Sequence, residues 1–106
     1  MGDRTKLTRE QAGEALASLE GWALEEDGVI RRSYRLDGFR AAIAFVNEAA
    51  ELAERINHHP HISIDYKVVT MRLTTWDAGG LTALDIALAE QLNRLYDRTA
   101  GREGGS

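Results

Sequence analysis

From Asp37 to Asn57 the apolar side chains return every three or four residues, and the pattern breaks off just before Pro60. Phe39, Ile43, Val46, Ala50, Ala53 and Ile56 form one stripe of a helix, with Asp37 expected as its cap. Ala41, Phe45 and Leu52 form a second stripe beside it. Packing against a single core needs one stripe, so the second implies either deeper burial or a contact between subunits. The helix must end near Asn57, because the residue before a proline is pushed toward extended backbone. The rest of the chain has to be arranged around this element.

Beyond the proline the hydrophobic alternation changes phase. Ile62, Ile64, Tyr66 and Val68 fall on even positions, whereas Val69, Met71 and Leu73 fall on odd ones. Side chains alternate strictly along a strand, so the switch needs either a tight turn near Tyr66-Lys67 or a bulge in one strand. Towards the N-terminus, Thr8 and Gln11 have the form of a capping box, and Ala12, Ala15, Leu16 and Leu19 continue at helical spacing. That predicts a helix over 9–19, stopped by Gly21. Trp22 with Leu24, and then Val29 to Tyr34, read as two strands meeting at Glu26-Asp27-Gly28. After the flexible Asp77-Ala78-Gly79-Gly80 connection, Thr82 and Asp85 make another capping box. Leu84, Leu88, Leu92 and Leu95 give the last helix its buried face.

The predicted order is α-β-β-α-β-β-α. It describes an α+β domain, a four-stranded antiparallel sheet with three helices on one face, over residues 1–100. Residues 101–106 read as a disordered Gly-rich tail. The sheet's other face is left open, with a tryptophan and tyrosines available to line a shallow pocket there.

A chain of 106 residues supports one core and not two. Its net charge of −4, without lysine or arginine runs, argues against a nucleic-acid surface. The absence of cysteine removes disulfides, zinc ribbons and thiol nucleophiles together. No stretch has the length of a signal-peptide core or a membrane span, so a cytoplasmic protein is expected.

All three histidines, His58, His59 and His61, fall within four residues. Imidazole is the side chain whose ordinary pKa lies near neutrality, which suits proton transfer. Glu54 stands one helical turn before His58, in reach to orient it or shift its titration. Adjacent residues on a helix point different ways, so His58 and His59 should not share one task. A metal site on the three histidines is a competing reading, though zinc ligands usually come from separated, converging positions. Asp85 can be read as a cap or as part of a site, and Tyr66 as packing on the sheet or as a binding residue. Pro60 fixes the turn that aims the histidines. His61 is expected to face solvent.

The spacing Glu54-x3-His58-His59-Pro60-x5-Tyr66-x9-Trp76-x8-Asp85, with Gly80-Leu81-Thr82 also in place, resembles the signature of the pterin-4a-carbinolamine dehydratases. Members are also known as dimerisation cofactors of a homeodomain transcription factor. The likeness runs from Gly21-Trp22 through Asp37-Gly38-Phe39 to the last helix. It implies the element order read above, and loss of water from a 4a-hydroxytetrahydropterin to give quinonoid dihydropterin, with no metal or organic cofactor. It further implies a place in recycling the pterin of aromatic amino acid hydroxylases, and homo-dimers or homo-tetramers formed through sheet edges and the central helix.

Carried over by position, His58 is the general acid and His59 holds or polarises the pterin, with Glu54 in support. Trp76, Pro60, Tyr66 and Asp85 are the expected substrate-binding positions. Trp76 stands where animal members carry histidine, and bacterial relatives tolerate tryptophan. An indole cannot give up its proton near neutral pH, so Trp76 is expected to stack on the pterin. His58 would then supply the acid alone, with a preference for one 4a epimer. The alternative is a scaffold of the same fold that stabilises a partner as an oligomer and has lost catalysis.

Overall fold

Thr8 opens the chain's regular structure with the reciprocal cap the sequence implies. Its hydroxyl accepts the Gln11 amide at 3.1 Å, and the Gln11 side chain accepts the Thr8 amide at 2.8 Å. The computed structural model describes residues 5–26 and 28–105, with backbone alone for residues 26 and 100–105. Helix α1 spans Arg9–Ala17, and strands β1 (Ala23–Glu26) and β2 (Val29–Arg35) pair antiparallel. Asp27, within the turn expected between them, lies outside the described residues. Gly28 follows with φ of 84°, and a Cβ there would come within 2.8 Å of the Gly80 Cα. Both the left-handed backbone and this close approach demand glycine.

Helix α2 spans Phe39–Ile56. Its N-cap is Gly38 and not Asp37, and no side chain caps it. The buried set is drawn from both stripes and from positions between them. Phe45, from the supposed second stripe, is buried with Ala42, Ala49 and Ala53, whereas Phe39 is 54% exposed and Ala50 faces outward. The alanines at 42, 49 and 53 let the helix backbone lie close to its neighbours. Phe45 then fills the space against Tyr34 and Tyr96, with ring centroids 5.0 and 6.0 Å away. Periodicity identifies the apolar positions, but the small residues decide which of them sit deepest, with Ala41, Val46, Leu52 and Ile56 packed at the margin of the core.

The phase change resolves into two strands, β3 (His61–Asp65) and β4 (Val68–Leu73), joined through Tyr66 at φ of 56°. The four-stranded antiparallel sheet has the order β1-β2-β4-β3. Ile30 and Tyr34 on β2 pair with Leu73 and Val69 on β4, and all four are buried on the helix side with Met71. Helix α3 (Ala83–Gly105) adds Leu88, Ala89, Leu92 and Leu95 to the same core. Its backbone continues into the Gly-rich stretch read as a tail, and Ser106 lies outside the described residues.

One polar hub fastens α3 to the sheet. Asn93 Oδ1 accepts from Trp22 Nε1 at 3.0 Å, Arg32 Nη1 at 2.7 Å and the Tyr34 hydroxyl at 2.6 Å. Tyr34 thus belongs to the core side. The expected lining of the open face by tyrosines is not what forms: that face carries Arg31, Arg72 and His61 in one cross-strand row.

Candidate active site

Helix α2 ends at Ile56 because Asn57 adopts the left-handed conformation, φ 57° and ψ 45°. Asparagine tolerates that geometry better than most residues. The His58 amide closes the turn on the Ala53 carbonyl at 3.0 Å. From Asn57 onward side chains no longer follow the helical progression, and the two adjacent histidines part company.

His58 turns inward. It is 7% exposed, and its Nε2 lies 2.6 Å from Asp85 Oδ1. His59 stays at the surface, with Nε2 2.6 Å from Glu54 Oε2. The expectation that Glu54 would orient His58 is therefore corrected. One-turn pairing holds inside a helix, and the left-handed Asn57 carries His58 away and brings His59 to Glu54 instead.

Asp85 is fully buried at the start of α3. Its Oδ2 accepts the Thr82 amide at 2.9 Å and the Thr75 hydroxyl at 2.7 Å, while Oδ1 serves His58. The carboxylate expected as a cap does bond the Thr82 amide, and it uses its other oxygen to hold His58. Among the described residues no fully buried side-chain nitrogen or oxygen lacks a hydrogen-bond partner. The His58 ring is tied through Nε2, which leaves Nδ1 as its other nitrogen.

Beside this buried pair lies a cavity of about 360 Å³ on the open sheet face. His59 and Trp76 line it, together with Glu25, Val29, His61, Arg72 and Thr74. Trp76 sits in a single 3-10 turn (Trp76–Ala78) and is 88% exposed, so its indole is available to a flat ligand. Arg72 Nε holds Glu25 Oε1 at 2.8 Å, and Arg31 Nε stands 3.8 Å from Oε2. The Arg72 hydrogen bond is the main reason that the Glu25 carboxyl titrates below its ordinary range, with the charges of Arg72 and Arg31 adding to it.

Of the expected site residues, His59 and Trp76 line the cavity, Glu54 is tied to His59, and the buried His58–Asp85 pair is not part of the lining. Pro60 is half-buried between His59 and β3. Tyr66 is not brought there. It occupies the β3–β4 turn, at the opposite end of β3 from His61, because a five-residue strand separates the two.

His61 is exposed as expected, yet it faces the cavity with Arg72, its partner across the β3–β4 ladder. Glu25, Arg72 and Thr74 were missed by sequence reasoning. The odd-numbered core positions of β4 already put Thr70, Arg72 and Thr74 on the open face, but the register that brings His61 and Glu25 beside them has no local signal. Among the described residues no three His, Asp or Glu side chains converge as a metal-binding group, and no helix is long and apolar enough to cross a membrane.

The model of one protein family, described as pterin 4 alpha carbinolamine dehydratase, matches residues 5–95, a span that contains every residue of this site. The chain belongs to that family. A Mesorhizobium japonicum protein provisionally named pterin-4-alpha-carbinolamine dehydratase is 46% identical over 94 residues, covering 88% of this chain and 96% of the relative. A Chloroflexus aggregans protein of the same provisional name is 47% identical over 90 residues, covering 85% and 96%. Among solved structures, a transcriptional coactivator/pterin dehydratase from Brucella melitensis superposes with a TM-score of 0.83 at 34% identity, covering 87% of this chain and 99% of that one. A pterin dehydratase-like protein identified as a RuBisCO assembly factor in the alpha-carboxysome shares the fold, with a TM-score of 0.62 at 19% identity over 73% of this chain and 90% of its own. The same fold thus occurs in proteins described by different roles.

Proposed function

We propose that this protein eliminates water from a 4a-hydroxytetrahydropterin to give the quinonoid dihydropterin. The observation that supports this best is a buried imidazole tied to a carboxylate, His58 with Asp85 at 2.6 Å, beside a cavity lined by an indole and a second imidazole. In the reaction the C4a–O bond breaks, and the neighbouring ring nitrogen supplies the electron pair for a new double bond and sheds its proton. The leaving oxygen must take up a proton to depart as water. His58 supplies it from Nδ1 as the imidazolium, which carries a proton on each nitrogen, with Nε2–H held by Asp85; delivery leaves the neutral Nε2–H ring, whose Nδ1 takes up the next proton.

Trp76 stacks on the bicyclic ring, and His59, steadied by Glu54, holds and polarises it. The acid acts from one side of the ring, so the enzyme prefers one 4a epimer. Family membership supports a role in recycling the pterin of aromatic amino acid hydroxylases in the cytoplasm. The test is a dehydration assay on a synthetic carbinolamine, comparing the native chain with His58→Ala and Trp76→His. Native protein should outrun the spontaneous loss of water by a wide margin, and equal rates would remove the proposal.

The outward stripe of α2 supports a second proposal, a homo-dimer or homo-tetramer. Phe39 is 54% exposed, and half-buried Ile43 and exposed Ala50 continue its face at helical spacing. Sedimentation of the native chain against Phe39→Asp tests it, the variant being expected to dissociate. A scaffold that stabilises a partner without catalysis would keep the assembly while showing no dehydration above background.

A further inference from the structure

The buried side of the site contains a directed chain of hydrogen bonds ending on Asp85. Thr75 Oγ1 donates to Asp85 Oδ2 at 2.7 Å, and a hydroxyl has one proton to give. The 2.9 Å contact between Thr75 Oγ1 and Thr82 Oγ1 must then be donated by Thr82. Thr82 Oγ1 in turn accepts the Leu84 amide at 3.2 Å, in the first turn of α3. The order is fixed: helix amide, Thr82 hydroxyl, Thr75 hydroxyl, Asp85 carboxylate, His58 imidazole. Thr75, Thr82 and Asp85 are each at most 1% exposed, so water does not compete for these bonds.

We propose that Thr75 is a positioning residue that holds the neutral His58 ring in its Nε2–H tautomer, so that Nδ1 is the nitrogen that takes up the acid proton and delivers it to the substrate. Two donors on Oδ2, the Thr75 hydroxyl and the Thr82 amide, lock the carboxylate's rotation and present Oδ1 to the imidazole. A carboxylate acts as an acceptor only, which makes His58 Nε2 the donor. Without the Thr75 hydroxyl, Asp85 keeps one anchor and can turn about its side-chain bonds, and the ring loses its fixed partner. Thr75 also ties this relay to the cavity wall. Its amide donates to the Gly80 carbonyl at 3.0 Å, and its carbonyl receives the Ala78 amide at 3.1 Å, closing the turn that carries Trp76.

This rests on the dehydratase reading for its catalytic consequence, but not for its structural one. Thr75→Val removes the hydroxyl at nearly constant shape, and Thr75→Ser retains it. Long-range ¹H–¹⁵N spectra of His58 in the neutral ring state should show a single Nε2–H tautomer in the native chain and in Thr75→Ser. Thr75→Val should show a mixture. With a synthetic carbinolamine, Thr75→Val should lower kcat on the order of 10-fold with KM little changed, and Thr75→Ser should restore it. Thr75→Ala carries the same expectations and is read if the valine variant does not fold. An unchanged tautomer in the variants lacking the hydroxyl, or failure of serine to restore it, overturns the proposal. A tautomer shift in a protein with no dehydration activity would support the positioning role while removing the dehydratase reading.

Discussion

His58 Nε2 lies 2.6 Å from Asp85 Oδ1 inside the fold, at the junction of the end of α2 with the start of α3. Its sequence neighbour has the opposite surroundings, since His59 is exposed and reaches Glu54. One left-handed residue, Asn57, separates a buried, oriented imidazole from an accessible one. The two rings therefore differ in what their loss should do.

His58→Ala is expected to lower kcat for carbinolamine dehydration by about 10²- to 10⁴-fold, the range of positioned acid catalysis. Glu54→Gln leaves His59 a neutral acceptor in place of a carboxylate and should act mainly through KM. Steady-state kinetics on both variants separates the roles. A larger kcat loss for Glu54→Gln than for His58→Ala would reverse the assignment.

Asp85→Ala removes the partner of His58, the Thr75 hydroxyl and the Thr82 amide at once, all in a buried setting. Stripping one member from such a network should cost about 3–5 kcal/mol of folding stability. Urea denaturation measures it. A loss below about 1 kcal/mol would mean that the network has rearranged around other donors.

Trp76 contributes little to the fold, being 88% exposed, so Trp76→Ala should change stability by no more than about 0.5 kcal/mol. Its KM for the carbinolamine should rise, because the stacking surface is gone. Separate 4a-R and 4a-S substrates should turn over at different rates in the native chain, and Trp76→His should narrow the difference. Equal and fast rates for both epimers in the native protein would sink the single-acid mechanism.

The readable and unreadable parts of the sequence divide along physical lines. Phase and spacing are local properties, so the β3–β4 turn at Tyr66, the Thr8 cap and the buried Leu88, Leu92 and Leu95 of α3 were legible, whereas Leu84 is only half-buried. Which apolar positions of α2 sit deepest was not, since Phe39 and Phe45 are equally apolar and the alanines beside Phe45 permit close approach. The histidine pair was visible as chemistry, but its division between Asp85 and Glu54 depends on the backbone sign of Asn57. Glu25 and His61 reach the cavity through strand register, a long-range property with no signature at either residue.

Tyr34 offers a test at alkaline pH. Burial is the main cause that raises its pKa above the ordinary value, against the opposing charge of Arg32. Below pH of about 10, the ordinary tyrosine value, the ring is neutral in both states and its contribution to stability is complete. Above that pH the unfolded chain ionises while the folded one keeps its proton, so folding stability falls as pH rises toward the raised pKa. The slope from this one group is about 1.4 kcal/mol per pH unit. Tyr34→Phe removes that slope and also the 2.6 Å hydrogen bond to Asn93, so it begins less stable at pH 8 and declines less steeply beyond pH of about 10. Urea titrations of both proteins between pH of about 9 and 11.5 isolate the difference, since the other titrating groups are common to the two. Parallel curves would show that Tyr34 loses its proton as readily in the fold as outside it, and that the hub on Asn93 is open to solvent.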